Sequence, residues 1–169
     1  MRIGSGTAFL IMQTLIRPVT ADDLADVVRL AHEFAAFEDL SEYCKLSETE
    51  LAEVIFGEGA FVECLIACDG PRAVGYAIFY PHFSSFRGER GVYLEDIFVI
   101  PEMRGSGLGK RLLQTVAKMG RTRGARRMDF QVLDWNKTAI DFYLGHGAVR
   151  NDDETHFKFA GGAFDRLSE

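Results

Sequence analysis

Apolar positions recur along this chain at two periods, and the places where the period changes predict its elements. Leu24, Val27, Val28, Ala31, Phe34 and Ala35 fall at helical spacing behind Thr20, an N-cap residue followed by Asp22 and Asp23 in the first turn. Ser47-Glu48-Thr49-Glu50 is a capping box that opens a short helix through Phe56, stopped at Gly57. Leu108, Leu112, Leu113, Val116 and Met119 share one face of a helix from Gly107 to about Arg123. Runs rich in β-branched and aromatic residues predict strands at 13–17, 61–68, 74–80, 92–100, 127–133 and 157–164. Asp69-Gly70-Pro71 joins the second and third of these as an antiparallel hairpin. Residues 81–91 read as a polar loop, and a short helix opens at Asn136 or Thr138 and closes at Gly145 and Gly147. The order β-α-α-β-β-β-α-β-α-β describes a mixed α/β (α+β) fold without internal repeat or linker. It occupies 13–169 as a single domain, with 1–12 as an N-terminal extension whether Met1 or Met12 is the natural start.

Composition narrows the class. A chain of 169 residues, 47% of them hydrophobic and 14 of them Phe, has enough apolar surface for one substantial core. A net charge of −6 disfavours nucleic acid as the partner and suits a small cation. No apolar run approaches the ~20 residues of a membrane span. Cys44, Cys64 and Cys68 lack metal-like spacing and read as reduced thiols of a cytoplasmic protein. His32, His82, His146 and His156 show no ligand spacing, so no metal is expected.

The chemistry concentrates in Arg104-Gly105-Ser106-Gly107-Leu108-Gly109-Lys110, between a predicted strand and a predicted helix. Glycines on alternate positions let backbone N–H groups approach a ligand, and the helix turns its positive end into the same loop. The loop therefore reads as a pyrophosphate cradle with Arg104 as a fixed charge at its entrance. A Walker loop needs Ser or Thr after its Lys, and Arg111 stands there instead. The dinucleotide fingerprint needs a different last glycine interval in the first strand–turn–helix. A plain glycine-rich connection is the bland alternative.

Three motifs in order resemble the spermidine/spermine N-acetyltransferase branch of the GNAT superfamily. They are Val92-Tyr93-Leu94-Glu95-Asp96-Ile97-Phe98-Val99, the Arg104–Lys110 loop, and Leu133-Asp134-Trp135-Asn136 through Phe142-Tyr143 to Gly147-Ala148. Tyr-Leu-Glu-Asp-Ile and Val-Leu-Asp-Trp-Asn are similar above all to the thialysine N-epsilon-acetyltransferase subgroup. The resemblance implies the GNAT fold, a mixed, mostly antiparallel sheet flanked by helices, with acetyl-CoA as cosubstrate. It implies that the backbone of Ile97, Phe98 and Val99 pairs with the pantetheine arm as an added strand. It further implies that amides from Gly105 to Lys110 hold the pyrophosphate and that Asn136 positions the cofactor near its thioester. Tyr143 matches the general acid that protonates the departing thiolate; standing alone after Phe142, it reads equally as packing. Glu95 matches the acid that relieves the acceptor ammonium of its proton, directly or through water, and Asp96 and Glu38 add negative charge. Strand alternation sends Glu95 and Asp96 to opposite faces, so one of them alone is expected to serve the amine.

Polyamine acetylators carry an acid and a Trp in the loop before this strand, where this chain has Ser84, Ser85 and Phe86. Phe37 stands where polyamine enzymes tend to have Tyr. With Phe37, Glu38, Ser84, Phe86, Glu95 and Asp96 as substrate-binding candidates, the expected acceptor is a lysine-like amino acid or short diamine, thialysine foremost. A polyamine acetyltransferase and a non-catalytic acyl-CoA-binding regulator are the alternatives. The resemblance also implies a homodimer that exchanges C-terminal strands.

Overall fold

A computed structural model describes residues 14–169; the extension 1–12 and the first residue of the first predicted strand lie outside the described residues. Five strands form one sheet in chain order: β1 (Leu15–Pro18), β2 (Glu63–Asp69), β3 (Arg72–Ser84), β4 (Glu89–Val99) and β5 (Arg127–Asp129). The first three pairings are antiparallel and β4–β5 is parallel. The sheet is therefore mixed and mostly antiparallel. Helices α1 (Leu24–Phe37), α2 (Glu48–Phe56) and α3 (Leu108–Thr122) belong to the same compact unit, which runs to Gln131. A second unit, Val132–Glu169, holds α4 (Lys137–Gly145) and α5 (Gly162–Ser168).

Alternation along β3 assigns the two faces of the sheet. Tyr76, Ile78 and Tyr80 share one face, which α1 covers: Phe34 stacks on Phe98 with ring centroids 5.4 Å apart, and Tyr76 lies 6.4 Å from the same ring. Gly75, Ala77 and Phe79 share the other, which α3 covers through Leu112 and Val116. Leu30 and Val27 of α1, Leu65 and Ile66 of β2, and Leu112 of α3 are fully buried. The helical faces read from the sequence pack on the core, with Leu30 added to that of α1, where Val28, Phe34 and Ala35 are only half-buried.

The entry to α1 is tied down by charge. Asp23 receives two bonds from the Arg17 guanidinium, at 2.6 and 2.7 Å, and two more from the backbone N–H and hydroxyl of Thr20, at 2.7 and 2.8 Å. These bonds hold its carboxyl well below the usual carboxylate range, the Arg17 bonds contributing most.

Three expectations are corrected. The segment 81–91 is not a loop: β3 and β4 continue to a tip at 85–88, where Gly88 supplies a positive φ of 61° for the turn. β5 pairs over three residues only. No strand forms at 157–164: residues 154–160 pair with no strand, and α5 follows Gly161, whose φ is 53°. Phe157 and Phe159 are exposed, without a ladder neighbour among the described residues.

Candidate active site

The decisive local feature is a bulge in β4. Ile78 pairs with Asp96 and the next residue, Phe79, pairs with Leu94, so Glu95 is the extra residue and has no partner across the ladder. The bulge cancels the alternation expected from the sequence. Tyr76 donates to Asp96 Oδ2 at 3.1 Å and Tyr80 donates to Glu95 Oε2 at 3.1 Å. Because Tyr76 and Tyr80 lie four residues apart on β3, both carboxylates sit on their face. The face that alternation would have divided between Glu95 and Asp96 is thus common to both.

The two acids differ in setting. Glu95 is exposed, while Asp96 is partly enclosed. Burial raises the Asp96 carboxyl to about 6, the Tyr76 hydrogen bond opposes the rise, and the like charges of Glu95 and Glu38 add to it. Glu38 caps the C-terminal end of α1, so three carboxylates converge on one face. Burial also lifts the Tyr80 phenol to about 12, with the Glu95 charge second, which keeps Tyr80 a donor. Neither tyrosine was singled out from sequence; a Tyr pair spaced four apart on the neighbouring strand was the available signal.

Beyond the bulge, β4 has a free edge. Its parallel pairing with β5 ends at Tyr93, and no described strand pairs with Leu94–Val99 on that side. The chain then turns through Pro101–Met103 into the glycine loop. Gly105 and Gly107 have φ of 75° and 83°, and nothing lies within 4 Å of a Cβ built on either. Gly107 is the N-cap of α3, so the amides of Leu108, Gly109 and Lys110 are first-turn donors without partners in the helix. Ser106 is exposed, and its hydroxyl donates to the Met103 carbonyl at 2.6 Å. Open space, left-handed glycines and converging N–H groups fit a pyrophosphate.

Arg104 stands directly before Gly105, and its side chain is held by β4 and α1. Its Nε donates to the Val99 carbonyl at 3.1 Å, and its guanidinium lies 4.3 Å from the Phe37 ring centroid and 5.7 Å from that of Phe98. It ties the end of β4 to the end of α1. Ser84 and Phe86 are not brought to the carboxylates. Ser84 pairs with Glu89 at the hairpin tip, six residues along the ladder from Ile78, or about 20 Å at ~3.3 Å per residue. Phe86 stands fully exposed beyond it.

In the second unit, Asn136 is buried and caps α4, its Oδ1 accepting from the Ala139 N–H at 3.1 Å. Tyr143 is buried on α4, and its carbonyl accepts from His146 at 3.0 Å and Ala148 at 3.1 Å in the turn at Gly147. Among the described residues no cluster of three or more His, Cys, Asp or Glu is arranged to hold a metal. No described helix is long and apolar enough to cross a membrane.

A mixed sheet with a bulged fourth strand, a free strand edge and a glycine-bracketed helix start is the arrangement that the resemblance to acyl-transfer proteins implies. The model of the Acetyltransferase (GNAT) family matches residues 26–148, and the chain belongs to that family and is an N-acetyltransferase. It is 38% identical over 165 residues to a thialysine N-epsilon-acetyltransferase of Bos taurus, covering 91% of this chain and 96% of that one. The mouse protein of the same name is 37% identical, covering 92% and 97%. Among solved structures, an integron cassette protein from the mobile metagenome of V. cholerae superposes with a TM-score of 0.78 at 25% identity, covering 94% and 99%.

Proposed function

We propose that the protein transfers an acetyl group from acetyl-CoA to a primary amine of a small molecule, a thialysine- or lysine-like amino acid or a short diamine. The observation that carries this reading is the β4 bulge, which gathers Glu95 and Asp96, with Glu38, on one face beside a free strand edge. Thialysine leads because the relatives so named match over nearly their whole length. The hairpin argument against polyamines loses its weight, since Ser84 lies far along the ladder from the carboxylates. Three converging carboxylates suit a second ammonium group too, and keep a polyamine as the second reading.

The residues divide the work. Backbone groups of Ile97, Phe98 and Val99 hold the pantetheine arm along the free edge, and amides from Gly105 to Lys110 hold the pyrophosphate. Since Arg104 occupies the Val99 carbonyl, Ile97 and Phe98 carry most of that pairing. Asn136 positions the cofactor by fixing the start of α4, and acetyl-CoA when bound supplies the activated acetyl group. Asp96 and Glu38 hold the acceptor cation by charge. Glu95, fixed by Tyr80, takes the ammonium proton directly or through water, leaving a neutral amine to attack. Tyr143 holds a proton at Oη for the leaving sulfur. A Cys-acyl route is disfavoured, because burial first, then the charges of Asp96 and Asp23, push the Cys64 thiol far up. Free thiols at Cys44, Cys64 and Cys68 fit a cytoplasmic setting. We also propose a homodimer, supported by exposed apolar side chains in the C-terminal segment.

Coenzyme A release measured across thialysine, lysine, putrescine, spermidine and spermine tests the reading. Turnover confined to thialysine and single-amine acceptors is expected. Preference for spermidine or spermine selects the second reading, and acetyl-CoA binding without turnover of any amine would leave a non-catalytic role.

A further inference from the structure

Asp96 is surrounded by groups from four segments, and a fifth reaches it through Tyr76. Tyr76 of β3 donates to its Oδ2 at 3.1 Å. Glu95 of β4 and Glu38 at the end of α1 act on it with like charge. Cys64 of β2 lies in the same ladder row, since Ile78 pairs with both Cys64 and Asp96. Cys44, from the segment between α1 and α2, acts on Tyr76. Of these groups Tyr76 alone favours the ionised carboxylate; burial and the neighbouring charges all favour the protonated form. Tyr76 is itself fully buried, and burial first, then Asp96, hold its phenol protonated, so it remains a donor. Its ring lies beside Phe98, which also stacks on Phe34 of α1. The hydroxyl therefore has little freedom to turn away.

Resting on the proposed amine acceptor, we infer that Tyr76 is a positioning residue for acceptor recognition, its buried hydroxyl holding Asp96 as an oriented carboxylate on the face shared with Glu95 and Glu38. A protonated Asp96 would offer the incoming ammonium a neutral carboxyl. With Tyr76 in place, a single O–H sets the fraction of enzyme that presents the anion near neutral pH.

The test compares Tyr76→Phe with the wild type in kcat/KM for the amine from pH 6 to 9, alongside the Asp96 carboxyl titration followed by carbon NMR. The ratio of the two enzymes cancels the titration of the amine. Loss of one hydrogen bond to the ionised form is expected to move the Asp96 midpoint up by about one pH unit. The kcat/KM deficit is then about fivefold at pH 6 and vanishes towards pH 9, with KM for acetyl-CoA unchanged. A merely structural role gives a ratio that does not vary with pH, and in an Asp96→Asn background the pH-dependent part should disappear. Should Tyr76→Phe fail to fold, 3-fluorotyrosine at position 76, a stronger donor, must move the midpoint downward. An unmoved midpoint in either protein overturns the inference. If the wild type acetylates no amine, the acceptor reading fails on its own, while the NMR titration still reports what Tyr76 does to Asp96.

Discussion

Two side-chain pairs carry charge in opposite senses, and their pH dependence separates them. Asp23 is held below the usual carboxylate range chiefly by Arg17, so its contribution is present above about pH 4 and is lost as pH falls below that. Asp96, raised from 3.8 to about 6, favours folding below about pH 4, and that contribution is withdrawn as pH rises through about 6. Asp23→Asn should therefore cost about 2 kcal/mol at pH 7, through the Arg17 bonds and the cap at Thr20, with the deficit shrinking at pH 3. Urea denaturation at both values checks this; an equal deficit at the two would remove the ion pair from the account. Tyr80→Phe deletes only the donor to Glu95. Turnover is expected to fall about tenfold, the equivalent of ~1.4 kcal/mol, with acetyl-CoA affinity unchanged by calorimetry. Unchanged turnover would mean that Glu95 needs no fixing or takes no proton. Glu95 and Asp96 were both legible as acidic candidates, because acid types on a strand next to a glycine loop point to a cation. Their shared face was not legible: a bulge of non-glycine residues leaves no mark in the alternation that precedes it.

Glycines in strands and loops do different work here, and substitution by Ala separates them. A Cβ on Gly75 would stand 2.7 Å from the Phe98 carbonyl oxygen and 3.3 Å from Val99 Cγ2, inside the β3–β4 ladder. Gly75→Ala should destabilise the fold by about 2 kcal/mol through overpacking. A Cβ on Gly107 meets nothing, so Gly107→Ala carries only the strain of φ 83°, about 1–2 kcal/mol. Its larger expected effect is on acetyl-CoA affinity, because the strain is relieved by turning the amides of the loop. Denaturation midpoints and calorimetry of the two variants read both effects; undiminished affinity in Gly107→Ala would remove the loop from cofactor binding. The helices were readable because their apolar faces repeat every three to four residues and their starts carry Thr20, Ser47 and Gly107. The hairpin tip was misread because His82-Phe83-Ser84 looks polar and loop-like, while pairing across the ladder extended it to Ser84 and Glu89.

The C-terminal segment 157–164 failed as a strand for want of a neighbour, and the same lack argues for assembly. Phe157 and Phe159 alternate around Lys158, the pattern of a strand with one apolar face, yet they are 83% and 63% exposed. Phe164 is 57% exposed, and Val149 and Leu167 are open too. The three phenylalanines alone offer roughly 400 Å² of uncovered apolar surface, against roughly 800 Å² per partner in an ordinary stable interface. A two-fold pairing in which each copy gives this segment to the other would cover it twice with one patch. Sedimentation at micromolar protein should therefore give a mass near twice 18.9 kDa. Phe157→Ser with Phe159→Ser should shift the population towards monomer without unfolding the first unit, whose core contains neither residue. Acetyl-CoA affinity should persist in that monomer, because the proposed cradle lies on β4 and the start of α3. A wild type that sediments at 18.9 kDa would sink the dimer and leave these side chains to a different partner.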